Sequence, residues 1–287
     1  MPTKIEKDSI SGQLTTGHEW DGIKELNRPL PKWWVYIFVA TVIWSGVYFV
    51  LYPSIPGISG YFHGLLGYST RDTVEADVAA VVKQRSVYMD RIAALPYDAI
   101  RRDRQLLAVA ETAGRIVFAD NCQPCHGAGG GGSPGFPALA AGNWLWGGKL
   151  ADIETSIVFG IRGGHDNARQ SAMPRFGVDA MLKPDEIQAV ADHVMVLYGK
   201  STVGSPAGAK IFAENCVACH GDAGQGNREV GGPRLASRTH LNADDRATVV
   251  GQIANPRMGV MPHWNTRLDQ ATIKSLTLYV HALGGGE

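Results

Sequence analysis

The sequence predicts a mainly α chain, with one N-terminal transmembrane helix followed by two tandem helical domains. Three observations predict it. Twenty uncharged and mostly apolar residues run from Trp33 to Tyr52. A fourteen-residue block recurs with eight identities at a constant offset of 94 residues, Cys122 to Cys216. Each copy closes on apolar residues at helical spacing, Ile187 to Tyr198 in the first and Ile273 to Leu283 in the second.

The apolar run is read as a single span because twenty residues at a rise of about 1.5 Å match a hydrocarbon layer of about 30 Å. A buried core helix is rarely apolar on every face. Trp33 and Trp34 at one end, with Tyr48 and Tyr52 near the other, suit the two interfaces, and Pro31 and Pro53 bracket the run. Lys24, Arg28 and Lys32 precede it, whereas no Lys or Arg follows until Arg71, so the N-terminus is expected in the cytoplasm. A cleaved signal would have a shorter apolar run and a small-residue cleavage site, whereas here Pro53-Ser54-Ile55-Pro56-Gly57 follows. The anchor is expected to be retained in a bacterial inner membrane, with everything beyond about Pro53 in the periplasm. Residues 72–94 mix apolar and charged positions at helical spacing up to Pro96, which reads as a half-buried amphipathic helix, with a partner or the membrane surface as the alternative contact.

The expected organisation is a cytoplasmic segment at 1–32, the span at 33–52, a periplasmic linker with its amphipathic helix at 53–107, a first domain at 108–200 and a second at 205–287. Across 287 residues, 27 Lys and Arg balance 27 Asp and Glu, so no basic excess exists to hold phosphate backbones, and nucleic acid is not an expected partner. Much of the glycine follows the cysteine motifs, which suggests loops laid closely over a bulky ligand rather than plain flexibility.

All four cysteines fall in the repeat, as Cys122-Gln123-Pro124-Cys125-His126 and Cys216-Val217-Ala218-Cys219-His220. This spacing puts two thiols on one helical turn, where they reach two vinyl groups of a haem, and the next residue turns its imidazole to the iron. A thioredoxin-like CxxC normally needs one such pair near a βαβ pattern, and here the adjacent histidine and the duplication argue against it; zinc needs at least one further Cys or His per site, and no matching cluster is present. Two covalently bound haem c groups are therefore expected. His126 and His220 are the proximal ligands, and Pro137 and Pro233 are candidates to accept from the other ring nitrogen and fix the ring plane.

For the sixth position, Met173 lies 51 residues after Cys122 and Met261 lies 45 after Cys216, each before a proline and a final helix. Thioether ligation favours ferrous iron and suits an electron carrier. Competing candidates are His165 and Met181 in the first copy, and Met258 and His263 in the second, while Met195 reads as core filler. Trp144, Trp146, Arg162, Trp264 and Arg267 stand near these loops, where propionate contact and ordinary packing are both open.

The stretch from Gly17 to Pro31 (GHEWDGIKELNRPLP), followed by Lys32-Trp33-Trp34 and one span, resembles the N-terminal segment of subunit III of cbb3-type cytochrome c oxidases, the dihaem FixP/CcoP family. The block Gly142-Asn143-Trp144-Leu145-Trp146-Gly147-Gly148 is similar to that family too. The resemblance covers essentially the whole chain. It implies two tandem class I cytochrome c domains, with His/Met ligation on His126, Met173, His220 and Met261. It also implies an electron-transfer subunit with no independent catalytic site. The implied partners are a haem-copper catalytic subunit, a monohaem cytochrome subunit and the lipid bilayer, with a periplasmic cytochrome c or the quinol-oxidising bc1 complex as donor. Trp20, Asp21 and Asn27 are expected to hold a cytoplasmic turn against a partner or the membrane surface. Two rival readings remain from the haem motifs alone: an anchored carrier serving a periplasmic dehydrogenase, and a dihaem peroxidase, which needs one open iron position.

Overall fold

The computed structural model describes residues 4–237, 240–284 and 286–287. The chain divides into two compact units, residues 1–82 and 83–287.

The first unit begins with a hairpin, β1 (Thr15–Trp20) and β2 (Ile23–Leu26), paired antiparallel with Trp20 opposite Ile23. Asp21 and Gly22 make its turn, both at positive φ (50° and 85°). Asp-Gly tolerates this conformation, and its twist matches that of the flanking strands. The expected turn at Asp21 is thus the tip of a small sheet. Asn27 extends that sheet by donating its backbone N–H to the Leu14 carbonyl at 2.7 Å. Helix α1 (Lys32–Leu51) starts just after Pro31, has no buried residue, and is long and apolar enough to cross a membrane. Tyr52, with rings stacked on Tyr48 at 4.6 Å, follows its last turn.

Helix α2 (Thr70–Ala94) departs from the half-buried expectation. Residues 70–85 are exposed throughout, and burial begins only near Tyr88. Val74, Val78, Val81 and Val82 stand at i, i+4, i+7 and i+8, so the apolar stripe the sequence predicts is present in these first turns but lies exposed.

In the second unit follow α3 (Tyr97–Arg102), α4 (Arg104–Asn121), the single turn α5 (Gln123–His126), α6 (Leu150–Phe159) and α7 (Pro184–Leu197). The second repeat supplies α8 (Pro206–Asn215), the single turn α9 (Val217–His220), α10 (Arg246–Ala254) and α11 (Gln270–Ala282). Side chains that satisfy orphan backbone N–H groups set the starts: Asp103 for α4, Ser205 for α8, Asp245 for α10 and Asp269 for α11.

The cores do not follow the repeats. Helix α11, from the second repeat, packs on α4 and α6 of the first, while α7, from the first, packs on α8 and α10 of the second. One core joins Phe118, Ile153 and Ile157 to Trp264, Ile273, Leu276 and Val280. The other joins Ile187, Val190 and Val194 to Phe212, Val249 and Ile253. Glycines at equivalent positions allow the helices to cross this closely: a Cβ on Gly114 would strike the Ser275 carbonyl of α11, and one on Gly208 the Ala189 carbonyl of α7. Two lobes result, one around α5 and one around α9, each closed by the other repeat's terminal helix. The breaks at 200 and 205 mark the repeats, not the packing units.

Candidate haem sites

In each lobe the first cysteine ends a helix and the second cysteine and histidine share the next turn. Cys122 follows α4, and the His126 N–H donates to its carbonyl at 2.8 Å; Cys216 follows α8, and the His220 N–H does the same at 2.9 Å. A glycine loop then folds back on the histidine. The Gly132 N–H donates to the His126 carbonyl and the Gly226 N–H to the His220 carbonyl, both at 2.7 Å.

The imidazoles are oriented as expected. The Pro137 carbonyl lies 3.1 Å from His126 Nδ1 and the Pro233 carbonyl 3.0 Å from His220 Nδ1. A carbonyl only accepts, so Nδ1 carries the proton and Nε2 keeps its lone pair for a metal. Burial holds both imidazoles below the usual histidine range, with the carbonyl bond opposing in part, which keeps them neutral and ready to ligate. Burial pushes the Cys122 and Cys216 thiols up to about 11, with the second cysteine of each pair adding to the shift. Such surroundings suit an uncharged thioether sulfur; a metal-bound thiolate needs the opposite shift.

Each histidine lines a cavity with apolar walls, and the second cavity is also lined by polar residues including Asn242, Asp244 and Asp245. The one at His126 is walled by Phe118 of α4, Ile153 and Ile157 of α6, and Leu276 and Val280 of α11. The one at His220 is walled by Phe212 of α8, Val249 and Ile253 of α10, and Val190 and Val194 of α7. Met261 lines the first and Met173 the second, so each methionine shares a cavity with the histidine of the other repeat. Apolar walls, two cysteines on one turn, a tethered imidazole and a thioether form a donor set and cradle that fit haem c.

The competing sixth ligands stand apart. Met181 is exposed, and Met195 packs against the core of the His220 lobe as filler. Met258 lines the edge of the second cavity but is 42% exposed. The His165 and His263 rings lie 5.4 Å from each other and line neither cavity. Of the aromatic and basic candidates, Trp144 and Trp146 line the first cavity, and Arg169 lies 5.2 Å over the Trp146 ring. Trp264 belongs to the core, with Arg267 at 5.4 Å over its ring. Arg162 lines neither cavity; its guanidinium binds two backbone carbonyls, Gly259 at 2.8 Å and Ser171 at 3.1 Å. Sequence reading passed over Arg169.

Three family models match in succession. Residues 12–59 match the N-terminal domain of cytochrome oxidase-cbb3, FixP; residues 111–197 match cytochrome c; residues 205–280 match cytochrome c oxidase, cbb3-type, subunit III. The chain is 49% identical to the cbb3-type cytochrome c oxidase subunit FixP of Bradyrhizobium sp. (strain ORS 278) across the full length of both. It is 48% identical to subunit CcoP of Azospirillum brasilense, over 98% of this chain and 99% of that one. The chain belongs to the FixP/CcoP family of cbb3-type oxidase subunits. The CcoP subunit of Cereibacter sphaeroides is more distant, 43% identical, and again matches from end to end. FixP/CcoP membership carries two covalently bound haem c groups. The N-terminal match covers the hairpin and α1 together.

Proposed function

We propose that the chain is the membrane-anchored dihaem electron carrier of a cbb3-type oxidase. It takes electrons in the periplasm from a cytochrome c or the bc1 complex and hands them to the monohaem and haem-copper subunits. Bound haem supplies the redox centre, an iron that takes up and releases one electron at a time. The protein's part is to fix that iron's ligands and keep water away from it. The anchor is α1, with the hairpin on the cytoplasmic side; the support is the basic flank of Lys24, Arg28 and Lys32 before the span.

Ligation is crossed between the repeats. The haem on Cys122 and Cys125 takes His126 and Met261, and the haem on Cys216 and Cys219 takes His220 and Met173. The observation that carries this reading is the sharing of each cavity by a tethered histidine and the other repeat's methionine. Each haem lobe thus consists of one repeat's cysteine turn and the other's terminal helix.

Two measurements test the reading. A tag on this chain should recover a haem-copper subunit from detergent-solubilised membranes; recovery of a dehydrogenase instead would refute the oxidase assignment. Met261→Leu and Met173→Leu should each abolish the weak near-infrared sulfur-to-iron band of one ferric haem, and the double variant both. A variant that keeps both bands removes that methionine from the ligand set.

A further inference from the structure

Where the chain leaves α6 for the other lobe, it is fastened to the loop that carries Met261. Ile161 and Met261 exchange backbone hydrogen bonds, 2.9 Å in each direction. Gly160, at φ +74°, permits the approach, since a Cβ there would sit 2.5 Å from the Met261 carbonyl. The next residue, Arg162, has a positive φ of 54°, uncommon for a residue with a side chain. Its N–H donates to the Arg169 carbonyl at 2.9 Å, and its side chain turns toward both methionine loops. Nε donates to the Gly259 carbonyl at 2.8 Å and Nη1 to the Ser171 carbonyl at 3.1 Å. Gly259 stands two residues before Met261, and Ser171 two residues before Met173. One guanidinium therefore grips equivalent carbonyls of the two loops that the crossed-ligation reading assigns to the two irons.

We propose that Arg162 is a positioning residue that locks both axial methionines at once, so that the two sixth-ligand bonds hold or loosen together. A thioether is a neutral and weak ligand, and its bond depends on how firmly the chain presents it. Arginine suits the task because its planar fork holds two acceptors in fixed geometry. Without it the Met261 loop keeps its backbone bonds to Ile161, but the direct tie between the Gly259 and Ser171 carbonyls is gone. The consequence is protective: an iron that keeps its methionine offers no open position to a small diatomic ligand.

This proposal rests on methionine ligation of both haems, and the test separates the two. The full-length chain, purified with both haems, is measured as wild type, Arg162→Met and Arg162→Lys. The readouts are the near-infrared band when ferric and carbon monoxide uptake when ferrous. Wild type should show the band at both haems and take up no carbon monoxide; a wild type without the band overturns the ligation reading itself. Arg162→Met should weaken the band and admit carbon monoxide at both haems while still carrying two haems per chain. Arg162→Lys, which keeps the charge and one donor group, should recover part of the wild-type behaviour at both. A wild-type band and no carbon monoxide uptake in Arg162→Met, or a change confined to one haem, overturns the coupling. If Arg162→Met does not accumulate, Arg162→Lys decides: partial uptake at both haems supports the proposal, and wild-type behaviour overturns it.

Discussion

The lobe around His126 leans on a part of the chain that the lobe around His220 lacks. Ile92 of α2 and Ile100 of α3 are fully buried against Leu106 and Ala110 of α4 and against Ala271 and Leu278 of α11. Lys274 of α11 adds a polar tie, its buried ammonium donating to the Ala93 and Leu95 carbonyls at 2.7 and 2.8 Å, where the last turn of α2 leaves carbonyls without helical partners. Among the described residues, the core around helix α7, which closes the other lobe, contains no such layer from the linker. Two copies of one repeat have thus come to differ in support. The first is braced by the linker from the anchor, and the second stands on its own core.

This contrast can be broken or sharpened by substitution, with hydrogen exchange read separately for α4 and α11 and for α7 and α8. Phe118→Ala and Phe212→Ala occupy equivalent, almost fully buried positions and should each cost about 3–5 kcal/mol. Each should loosen its own lobe first, and equal effects on both lobes would show that the two do not open independently. Ile92→Ala should cost about 3 kcal/mol in the His126 lobe alone; faster exchange in α7 or α8 would contradict the one-sided brace. Lys274→Met leaves two half-buried carbonyls unpaired and should cost roughly 2 kcal/mol, again on that side only.

The smallest expected effect is acid sensitivity. Hydrogen bonds from the Leu106 N–H, and then the Arg91 guanidinium, hold Asp103 below the usual carboxylate range; the Thr248 N–H does the same for Asp245. Each carboxylate therefore contributes stability above the ordinary aspartate pKa of about 3.9, and the contribution fades as pH falls through the lower folded value. Melting curves from pH 6 downward (a range of about 3 units around these groups) should fall less steeply in Asp103→Asn. A steeper fall would reverse the assigned sign.

The cysteine turns, the span and the two terminal helices are legible in the sequence because each is a local pattern: an i, i+3 pair before His126 or His220, an uncharged twenty, an apolar periodicity. Pro137 and Pro233 could be matched through the repeat as the carbonyl acceptors that orient the imidazoles, and the structure has them there. The crossing is of another kind. Helices α7 and α11 present the same kind of apolar stripe whichever partner they meet, so no local signal distinguishes closing on one's own repeat from closing on the other. Gly114 and Gly208 announce a close helix crossing but not which helix approaches. The hairpin was readable, since Asp21-Gly22 is a strong turn signal, yet the strands beside it are short and carry charge. Arg162 reads as a propionate candidate because its sequence neighbourhood is basic and glycine-rich; only the fold brings Gly259 and Ser171 to it.

The central claim is that each haem is shared between repeats, and proton NMR of the ferrous, full-length chain tests it most directly. The thioether protons of the haem on Cys122 should show nuclear Overhauser contacts to Leu276 and Val280, and its ligand methyl resonance should vanish in Met261→Leu. Contacts from that haem to Val190 and Val194, with a ligand methyl that vanishes in Met173→Leu, would contradict it.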